Sequence, residues 1–586
     1  MQIKPHSLAQ LSVFRQRILS SKGFTVVAIL AMGLAGYLLA PADLSPGEYT
    51  AKITLRLDGQ THEIILPFTV GETTGEAIAR EYPLGEWTAT ITAPDSVAVR
   101  TGEQIEYRVS VAGADGRPIE IEASQAVSVI TGPGYEQIVP VVDRDADGLV
   151  FRMRVPFKAN LTLGLLFAVA VIWLTEIVPL SAGSLLIPVF VVLAGIADVQ
   201  SILAPFFHPI IVLFLAGFLL AEAMHRTGAD RLIALAILRR APRRKSLLML
   251  TMMGLTAFLS LWMSNTASVA IIIPIAIAIL DKLPAGNHAG FRRALILGCA
   301  YAGAVGGIGS AIGTPANILA MTFLNEFTQD NLTFTDWFAF GLPVVLIMVP
   351  LIWITLLVSY RVKPGEIDLE FDEVLEKPPA RLDRGQVQLL LVFSAVLVLW
   401  LTEGWHGIPT AIVALAGVLV LFFLETIKKQ DLNRVNWDAL LTFGGGLAIG
   451  SILVLTGVSD WLALKLAGLG HLPAPLVIFL VAGFTLVTGA FISNTACAAM
   501  LIPLAIPLAQ ILGLDPRLLV AVVAIASSID FALVIGTPPT MLAYSTGLFE
   551  TKEIFRRGIV LDLYGVLVLS FIVVWIWRLL GIVVLV

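Results

Sequence analysis

The chain has 586 residues, of which 57% are hydrophobic and 14% are charged, with a net charge of −5. Soluble domains carry about 25% charged residues. The composition therefore excludes a protein that is soluble over its whole length and indicates a polytopic α-helical membrane protein. The two cysteines, Cys299 and Cys497, lie in apolar segments, so neither a disulfide framework nor a thiolate metal site is expected.

The first 41 residues combine a basic lead-in with an apolar segment. Residues 1–23 contain four Lys and Arg, which predicts a cytoplasmic N-terminus, and 24–41 is interpreted as the first transmembrane helix. A cleaved signal peptide is the alternative, because Ala40-Pro41-Ala42 fits a small-residue cleavage site. The long charged lead-in favours a retained helix.

Residues 42–158 differ in pattern from the rest of the chain. Short, often alternating apolar segments are separated by Gly, Pro and Asp, which is typical of a small β-sandwich. The expected strands are Tyr49–Leu57, His62–Val70, Trp87–Ile91, Gln104–Val111 and Leu149–Val155. With no catalytic cluster in this sequence, we expect an extracytoplasmic β-sandwich domain without chemistry of its own.

The remainder divides into two halves, 159–360 and 386–586, joined by a charged linker, 361–385, that we expect in the cytoplasm. The halves share motifs at nearly constant spacing. Trp-Leu-Thr-Glu begins at Trp173 and Trp400, 227 residues apart. In the threading that the apolar segments suggest, the two copies run in opposite directions. This predicts an inverted repeat with a binding site near the membrane midplane, on broken helices.

A Ser-Asn-Thr triplet occurs once in each half, as Ser264-Asn265-Thr266 and Ser493-Asn494-Thr495. Each triplet lies between two apolar segments that we expect to be too short to span a bilayer, since a spanning helix needs roughly 20 residues. This predicts two re-entrant hairpins, 246–280 and about 475–511, whose polar tips line a cavity. A single copy would usually be a helix cap, but two matched copies favour a binding site.

Each half also carries Gly-Thr-Pro inside an apolar span, at Gly313-Thr314-Pro315 and Gly536-Thr537-Pro538. Proline removes a backbone donor and glycine tolerates unusual dihedral angles, so we expect the helix to open there. The alternative is a simple proline kink. Since the tips and breaks contain no Lys or Arg, a bound anion would need charge from bound cations. This predicts cation-coupled anion transport.

The paired triplets and Gly-Thr-Pro breaks resemble the divalent anion/sodium symporter family, which includes INDY-type dicarboxylate and citrate carriers. The resemblance covers about 161–586. It implies an elevator-type carrier, usually a homodimer, that moves dicarboxylates, tricarboxylates or sulfate with sodium. It also implies a first sodium site at Ser260, Ser264, Asn265 and Gly313, and a second at Gly489, Asn494 and Gly536. Substrate would contact Ser264, Asn265, Thr266, Thr314, Ser493, Asn494, Thr495, Thr537 and Pro538.

The chain departs from the family pattern at several points. The β-domain is inserted, Thr540 stands where Asn317 stands in the first half, and Gly489 has no hydroxyl. Asp530 lies inside a span, where an acid is a functional candidate by default. It is either a coupling acid or a carboxyl that is hydrogen-bonded within the scaffold.

The expected function is therefore a secondary transporter for small anions in a bacterial-type plasma membrane, with sodium as the coupling ion and no organic cofactor. A proton-coupled carrier or an exchanger is an alternative, as is a sensor whose membrane part does not transport. An enzyme is not expected, because the sequence shows no nucleophile–base pair. The basic run Arg239–Lys245 is interpreted as a topology signal that contacts anionic lipid, not as a nucleic-acid site.

The threading makes a topology prediction. Six loops assigned to the inside contain 25 Lys and Arg, whereas three short outer loops contain two. The positive-inside rule then places 42–158 and the C-terminus outside and 361–385 inside. Single cysteines introduced in 42–158 and 361–385, on a background lacking Cys299 and Cys497, should react with an impermeant reagent from opposite sides. Labelling of both regions from one side would refute the threading.

Overall fold

The computed structural model describes most of the chain. The described residues are 22–39, 47–57, 60–71, 73–98, 104–114, 117–119, 126–132, 135–139, 141–145, 148–154, 156–283, 288–328, 332–367, 382–466, 469, 471–534 and 536–583. The N-terminal residues 1–21, the Ala40-Pro41-Ala42 motif and most of the 361–385 linker lie outside the described residues.

Two sheets form the region after the first helix. The first has five strands in the order β5-β2-β1-β8-β9, and the second has six, with β10-β11-β6-β4-β3 in order and β7 paired to β6. The strands are β1 Gly47–Leu57, β2 Gln60–Gly71, β3 Ala77–Leu84, β4 Trp87–Pro94, β5 Ser96–Ala98, β6 Gln104–Gly113, β7 Pro118–Ile119, β8 Ala126–Gly132, β9 Tyr135–Val139, β10 Val141–Asp145 and β11 Gly148–Arg154.

One apolar core lies between the two sheets. Alternate residues of β1, such as Ile53 and Leu55, are buried with Ile91 and Val109 of the second sheet, as expected when one face of each sheet is covered. The Tyr107 hydroxyl donates to Ser128 Oγ inside this core, and burial raises the pKa of the Tyr107 phenol. All five predicted strands are present. The sequence analysis missed the other six, because most are short or lack clear alternation.

Helices make up the rest of the described chain. Their bounds are α1 Lys22–Leu39, α2 Ala159–Thr175, α3 Leu180–Leu193, α4 Val199–Leu203, α5 Pro209–Thr227, α6 Ala229–Leu238, α7 Lys245–Ser260, α8 Asn265–Asp281, α9 Ala289–Gly306, α10 Pro315–Phe327, α11 Phe334–Ser359, α12 Arg384–Leu401, α13 Glu403–His406, α14 Thr410–Phe423, α15 Trp437–Leu455, α16 Val458–Lys465, α17 Ala474–Phe491, α18 Asn494–Ile511, α19 Pro516–Ala526, α20 Pro538–Ser545, α21 Thr551–Leu567 and α22 Val574–Leu579. A π-helical turn, Val568–Val573, joins the last two.

The helices include both predicted hairpins, formed by α7 with α8 and by α17 with α18. Among the described residues, seven helical segments are long and apolar enough to cross a membrane, so the polytopic helical class is confirmed. One premise of the sequence analysis was wrong. The helices of the second hairpin, α17 and α18, each have 18 residues and qualify as spans, whereas α7 and α8 are shorter. The depth of the hairpin tips stays a prediction.

Contacts divide the described chain into two compact units. The first runs to Leu203 and includes Ala448–His471 and Pro503–Leu514; the second comprises Ala204–Leu447, Leu472–Ile502 and the chain from Asp515 onward. Within the first unit, α1 packs closely on α2. A Cβ atom on Gly36 would lie 2.6 Å from the Leu163 carbonyl oxygen, and one on Gly164 would lie 2.9 Å from that of Gly33. Small residues permit such close approach between apolar helices.

Ion pairs join the halves within the second unit. Arg434 Nη1 lies 2.6 Å from Glu222 Oε1, Arg226 pairs with Asp431, and Arg293 Nη1 lies 3.5 Å from Glu553 Oε1. The Glu222 carboxylate thus pairs with a residue 212 positions away in the sequence. Each pair joins a segment of the first half to a segment of the second half. The side of the membrane on which these segments lie stays a prediction.

The Glu222–Arg434 pair can be tested by charge reversal. Glu222→Arg should lower the melting temperature of the detergent-solubilised protein, because it places two guanidinium groups together. The double variant Glu222→Arg/Arg434→Glu restores opposite charges and should recover part of the loss. A double variant no more stable than Glu222→Arg would show that the two side chains do not interact.

Candidate functional site

The two Ser-Asn-Thr triplets have the same local geometry. Ser264 Oγ accepts a hydrogen bond from Ala267 N at 3.2 Å, and Ser493 Oγ accepts one from Ala496 N at 3.2 Å. Each serine thus caps the second helix of its hairpin, and the asparagine is that helix's first residue. The cap interpretation and the site interpretation are compatible, because a capping hydroxyl keeps its own proton for donation.

Three oxygen atoms gather beside the first triplet; we call them the first oxygen cluster. Ser260 Oγ lies 2.7 Å from Asn265 Oδ1 and 2.7 Å from the Gly303 carbonyl oxygen. Asn265 Nδ2 donates to the Ala304 carbonyl oxygen at 3.3 Å, which fixes the amide orientation. A hydroxyl has one proton, so it cannot satisfy both acceptors. This excess of oxygen lone pairs suits a hard cation, which prefers oxygen ligands.

The first break, residues 307–314, converges on this cluster at Gly307. A Cβ atom on Gly307 would lie 2.2 Å from Asn265 Oδ1, 2.8 Å from Thr314 Cγ2 and 2.9 Å from the Gly313 carbonyl oxygen. The break therefore needs glycine at this position because the backbone approaches the hairpin tip too closely for a side chain. Four predicted site residues, Ser260, Asn265, Gly313 and Thr314, are thus brought together.

Side chains hold the backbone of the first break. Asn317 Nδ2 donates to the carbonyl oxygens of Gly307, Ile308 and Ser310 at 2.7–3.2 Å, and Trp337 Nε1 donates to Ile308 O at 3.0 Å. Pro315 begins α10 at its N-terminal turn, where the missing N–H is not needed. Pro315 therefore begins α10, the helix after the break, and does not kink a continuous helix.

The second break, residues 527–537, is longer and is held differently. Asp562 of α21 accepts hydrogen bonds from Phe531 N at 2.8 Å and Ala532 N at 3.1 Å. The Tyr301 hydroxyl of α9 donates to the Phe531 carbonyl oxygen at 2.9 Å. The sequence analysis missed both residues. Asp562 carried a usable signal, since it is an acid inside an apolar span, whereas Tyr301 carried none.

A glycine of a neighbouring helix lies against the same carbonyl in each half. A Cβ atom on Gly341 of α11 would lie 2.1 Å from Ile308 O, and one on Gly558 of α21 would lie 2.1 Å from Phe531 O. With Gly313 and Gly536 aligned, Ile308 corresponds to Phe531. The two breaks are therefore packed alike although their side-chain partners differ.

The second half has its own group of buried polar atoms without partners. Among the described residues, Asn494 Oδ1 and both carboxylate oxygens of Asp530 lack a hydrogen bond. The Asp530 carboxylate touches Gly536, where a Cβ atom would lie 1.7 Å from Oδ2. Gly489 faces Ser527, whose carbonyl oxygen would lie 3.3 Å from a Cβ at Gly489. Gly489 thus lies against the start of the second break, and Gly536, near the end of that break, lies against Asp530.

The remaining predicted site residues differ in exposure. Thr266 and Pro538 are exposed, Thr495 is half-buried, and Thr314 is buried with no partner for Oγ1 among the described residues. Thr537 Oγ1 lies 2.9 Å from Thr540 Oγ1. The described residues contain no group of three His, Cys, Asp or Glu side chains suited to a metal ion.

Helix packing brings the two halves into contact at these elements. The short helix α20, which follows the second break, packs against α8 and α9 of the first half, and α10 packs against α19 of the second half. Each half therefore lays the helix after its break on the other half.

Comparison with known proteins identifies the family. Residues 153–583 match the family described as the sodium:sulfate symporter transmembrane region. The chain belongs to this family. The predicted resemblance to the divalent anion/sodium symporters is confirmed, and the family is one of membrane transporters, not of enzymes. The match begins at residue 153, so it leaves out the two-sheet region.

Two relatives in sequence agree with this assignment. An uncharacterized transporter of Haemophilus influenzae is 32% identical over 431 residues, covering 70% of this chain and 91% of the relative. The sodium-dependent dicarboxylate transporter SdcS of Staphylococcus saprophyticus is 29% identical over 446 residues, covering 71% and 86%. The YdaH transporter of Alcanivorax borkumensis has a similar structure, with a TM-score of 0.48 at 14% identity, covering 65% of this chain and 86% of that one.

The close approach of Gly558 to the second break predicts a matched pair of variants. Gly558→Ala should destabilise the protein by about 1–3 kcal/mol, as overpacking usually does, because its Cβ would meet the Phe531 carbonyl oxygen. Gly483→Ala is the control, since no atom lies within 4 Å of a Cβ there; it should be neutral or stabilise by up to about 1 kcal/mol. Thermal unfolding in detergent measures both. Equal melting temperatures for the two variants would contradict this packing.

Proposed function

We propose that the protein is a sodium-coupled symporter for small dianions, foremost di- and tricarboxylates. The observation that carries this proposal is the first oxygen cluster, in which one hydroxyl proton serves two acceptor oxygens. The tips and breaks contain no Lys or Arg, so cations must balance the charge of an anionic substrate. Family membership and the relative named as a sodium-dependent dicarboxylate transporter support this choice of cation and substrate.

The first sodium site would be formed by Ser260, Ser264, Asn265 and Gly313. Asn265 is the central residue, because its carboxamide oxygen can ligate a cation while its NH₂ group is held on Ala304. A bound sodium would supply the positive charge that no side chain of the tip provides. If Asn265 Oδ1 ligated that sodium, the Ser260 hydroxyl would have one acceptor left, the Gly303 carbonyl oxygen, for its one proton.

The second sodium site would be formed by Gly489, Asn494 and Gly536. Asn494 Oδ1 is buried and lacks a partner among the described residues. This oxygen is therefore available to a cation. Gly489 offers only backbone groups, so this half has fewer side-chain oxygens unless Asp530 takes part.

Substrate carboxylates would meet the hairpin tips and the starts of the helices after the breaks. The residues in question are Ser264, Asn265, Thr266, Thr314, Ser493, Asn494, Thr495, Thr537 and Pro538. Free N–H groups at the N-terminal ends of α8, α10 and α18 favour negative charge. Hydroxyl and carboxamide donors would then fix the orientation of the anion.

A proton-coupled carrier or an exchanger is the second candidate, and Asp530 is the observation that favours it. A buried carboxylate without a hydrogen-bond partner could serve as a coupling acid. Sulfate is the alternative substrate, since the same uncharged donors would bind either anion.

The wider architecture is proposed on the family resemblance and the matched motifs. We propose an inverted-repeat elevator carrier that works as a homodimer in a bacterial plasma membrane, in contact with its lipid. Repeat 1 would be 159–360 and repeat 2 would be 386–586. The domain 42–158 would lie outside, where it could cover the transporter or bind a partner.

Transport assays in proteoliposomes test the function directly. Uptake of labelled succinate, citrate and sulfate should be compared with an inward sodium gradient, with choline in place of sodium, and with a proton gradient. The proposal expects sodium-dependent uptake of a carboxylate. Uptake driven by protons or by internal anion alone would favour the second candidate.

The asparagines provide the sharpest test of the site. A hydrogen bond to a charged group contributes about 1.5–3 kcal/mol, so Asn265→Ala and Asn494→Ala should each weaken substrate binding about ten- to hundredfold. Apparent sodium affinity should fall in the same variants. In the wild type, sodium should tighten substrate binding by the factor by which substrate tightens sodium binding. Calorimetry across a sodium series, with choline as replacement, measures both effects.

Asn436→Ala is the matched control. Asn436 also accepts a hydrogen bond at a helix start, from Ala439 N at 3.1 Å, but it is exposed and outside the hairpins. Its loss should cost about 1 kcal/mol of stability and leave sodium dependence unchanged. Unimpaired binding in both hairpin variants would remove the site assignment, and a wild-type affinity that ignores sodium would reject sodium coupling.

A further inference from the structure

The two breaks differ at one position that faces the site. With Gly313 and Gly536 aligned, Asp530 corresponds to Gly307. In the first half, a side chain at Gly307 would run into Asn265 Oδ1 and the Gly313 carbonyl oxygen. In the second half, a carboxylate occupies the corresponding place and lies against Gly536. By the repeat, Asp530 stands at the position of Gly307, which lies beside Asn265, and Asn494 is the counterpart of Asn265.

The Asp530 carboxylate is buried and is not neutralised by the protein. Its residue is 1% exposed, and neither oxygen has a hydrogen-bond partner among the described residues. The backbone N–H of Leu533 favours the ionised carboxylate but does not form a regular hydrogen bond with it. The adjacent donors, Phe531 N and Ala532 N, are already bound to Asp562. No basic side chain forms an ion pair with Asp530 in the described part of the chain.

Leaving such a group unpaired is costly. Removing a carboxylate from water costs several kcal/mol unless an opposite charge or hydrogen bonds compensate. Two buried acceptors, Asp530 and Asn494 Oδ1, are unsatisfied in the same half, and Gly489 supplies no hydroxyl to complement them. A cation between them would satisfy both residues at once.

We propose that the Asp530 carboxylate is a direct ligand of the cation in the second half. This rests on the proposed function and extends it, because the second site then carries a negative charge whereas the first is neutral. The second site therefore binds a monovalent cation before substrate arrives. The first site, which has only neutral oxygens, is the one whose occupancy depends on the anionic substrate.

Sodium binding without substrate tests this assignment. A ligand that binds the folded state raises the melting temperature as its concentration rises. Wild-type protein without substrate should therefore melt at higher temperature as sodium replaces choline at constant ionic strength. Asp530→Asn should shift the sodium concentration needed for this effect upward by about tenfold or more. Asp530→Gly provides a second variant. It has the residue found at Gly307 and no side chain that could clash with Gly536.

The control is Asp281→Asn, because Asp281 is exposed at the end of α8. It should keep the wild-type sodium response. An unchanged response in both Asp530 variants, with substrate binding still dependent on sodium, would overturn the carboxylate ligand and leave the proposed function intact. A wild-type protein whose melting temperature and substrate affinity both ignore sodium would overturn the proposed function as well. A response of the melting temperature to pH in place of sodium would assign the carboxylate to a proton.

Discussion

The structure depends on how backbone polar groups are satisfied at the two breaks. Away from water, an unpaired N–H or C=O group costs several kcal/mol. In both halves the corresponding carbonyl accepts hydrogen bonds from side chains. Trp337 and Asn317 donate to the Ile308 carbonyl, and Tyr301 donates to the Phe531 carbonyl. A glycine of a neighbouring helix packs directly on each carbonyl. The breaks are thus rigid features of the fold, because each is fixed by donors from other helices.

The hydrogen bonds that hold the two breaks determine which polar side chains remain available to a ligand. The Asn317 NH₂ group and the Asp562 carboxylate are fully used on the backbone, so neither can move to a substrate without opening a break. Other oxygens are less fully paired, because Ser260 Oγ has one proton for two acceptors, Asn265 Oδ1 and Gly303 O, and Asn494 Oδ1 has no partner among the described residues. In the proposed site, which lacks basic side chains, bound cations would supply the charge that holds the anion.

Several features of the site were predictable because they depend on local chemistry. Serine before a helix, proline in its first turn and duplication of both motifs located the hairpin tips and the start of each helix after a break. The bracing residues were not predictable in the same way. Tyr301 and Gly558 matter only because α9 and α21 pack against one break, and sequence spacing does not reveal that packing. Asp562 was missed for a different reason, since its span was judged by hydropathy and its single acid was overlooked.

The asymmetry between the breaks has a consequence for charge balance. If Asp530 stays ionised, one cation neutralises the protein and not the substrate. Two further cations would then be needed to balance a dianion, so a neutral loaded site would hold three. With a protonated or neutral residue at this position, two cations would suffice for the same anion. The single exchange of glycine for aspartate between the halves can therefore decide whether a transport cycle moves net charge, while the backbone and hairpins of the two halves remain closely matched.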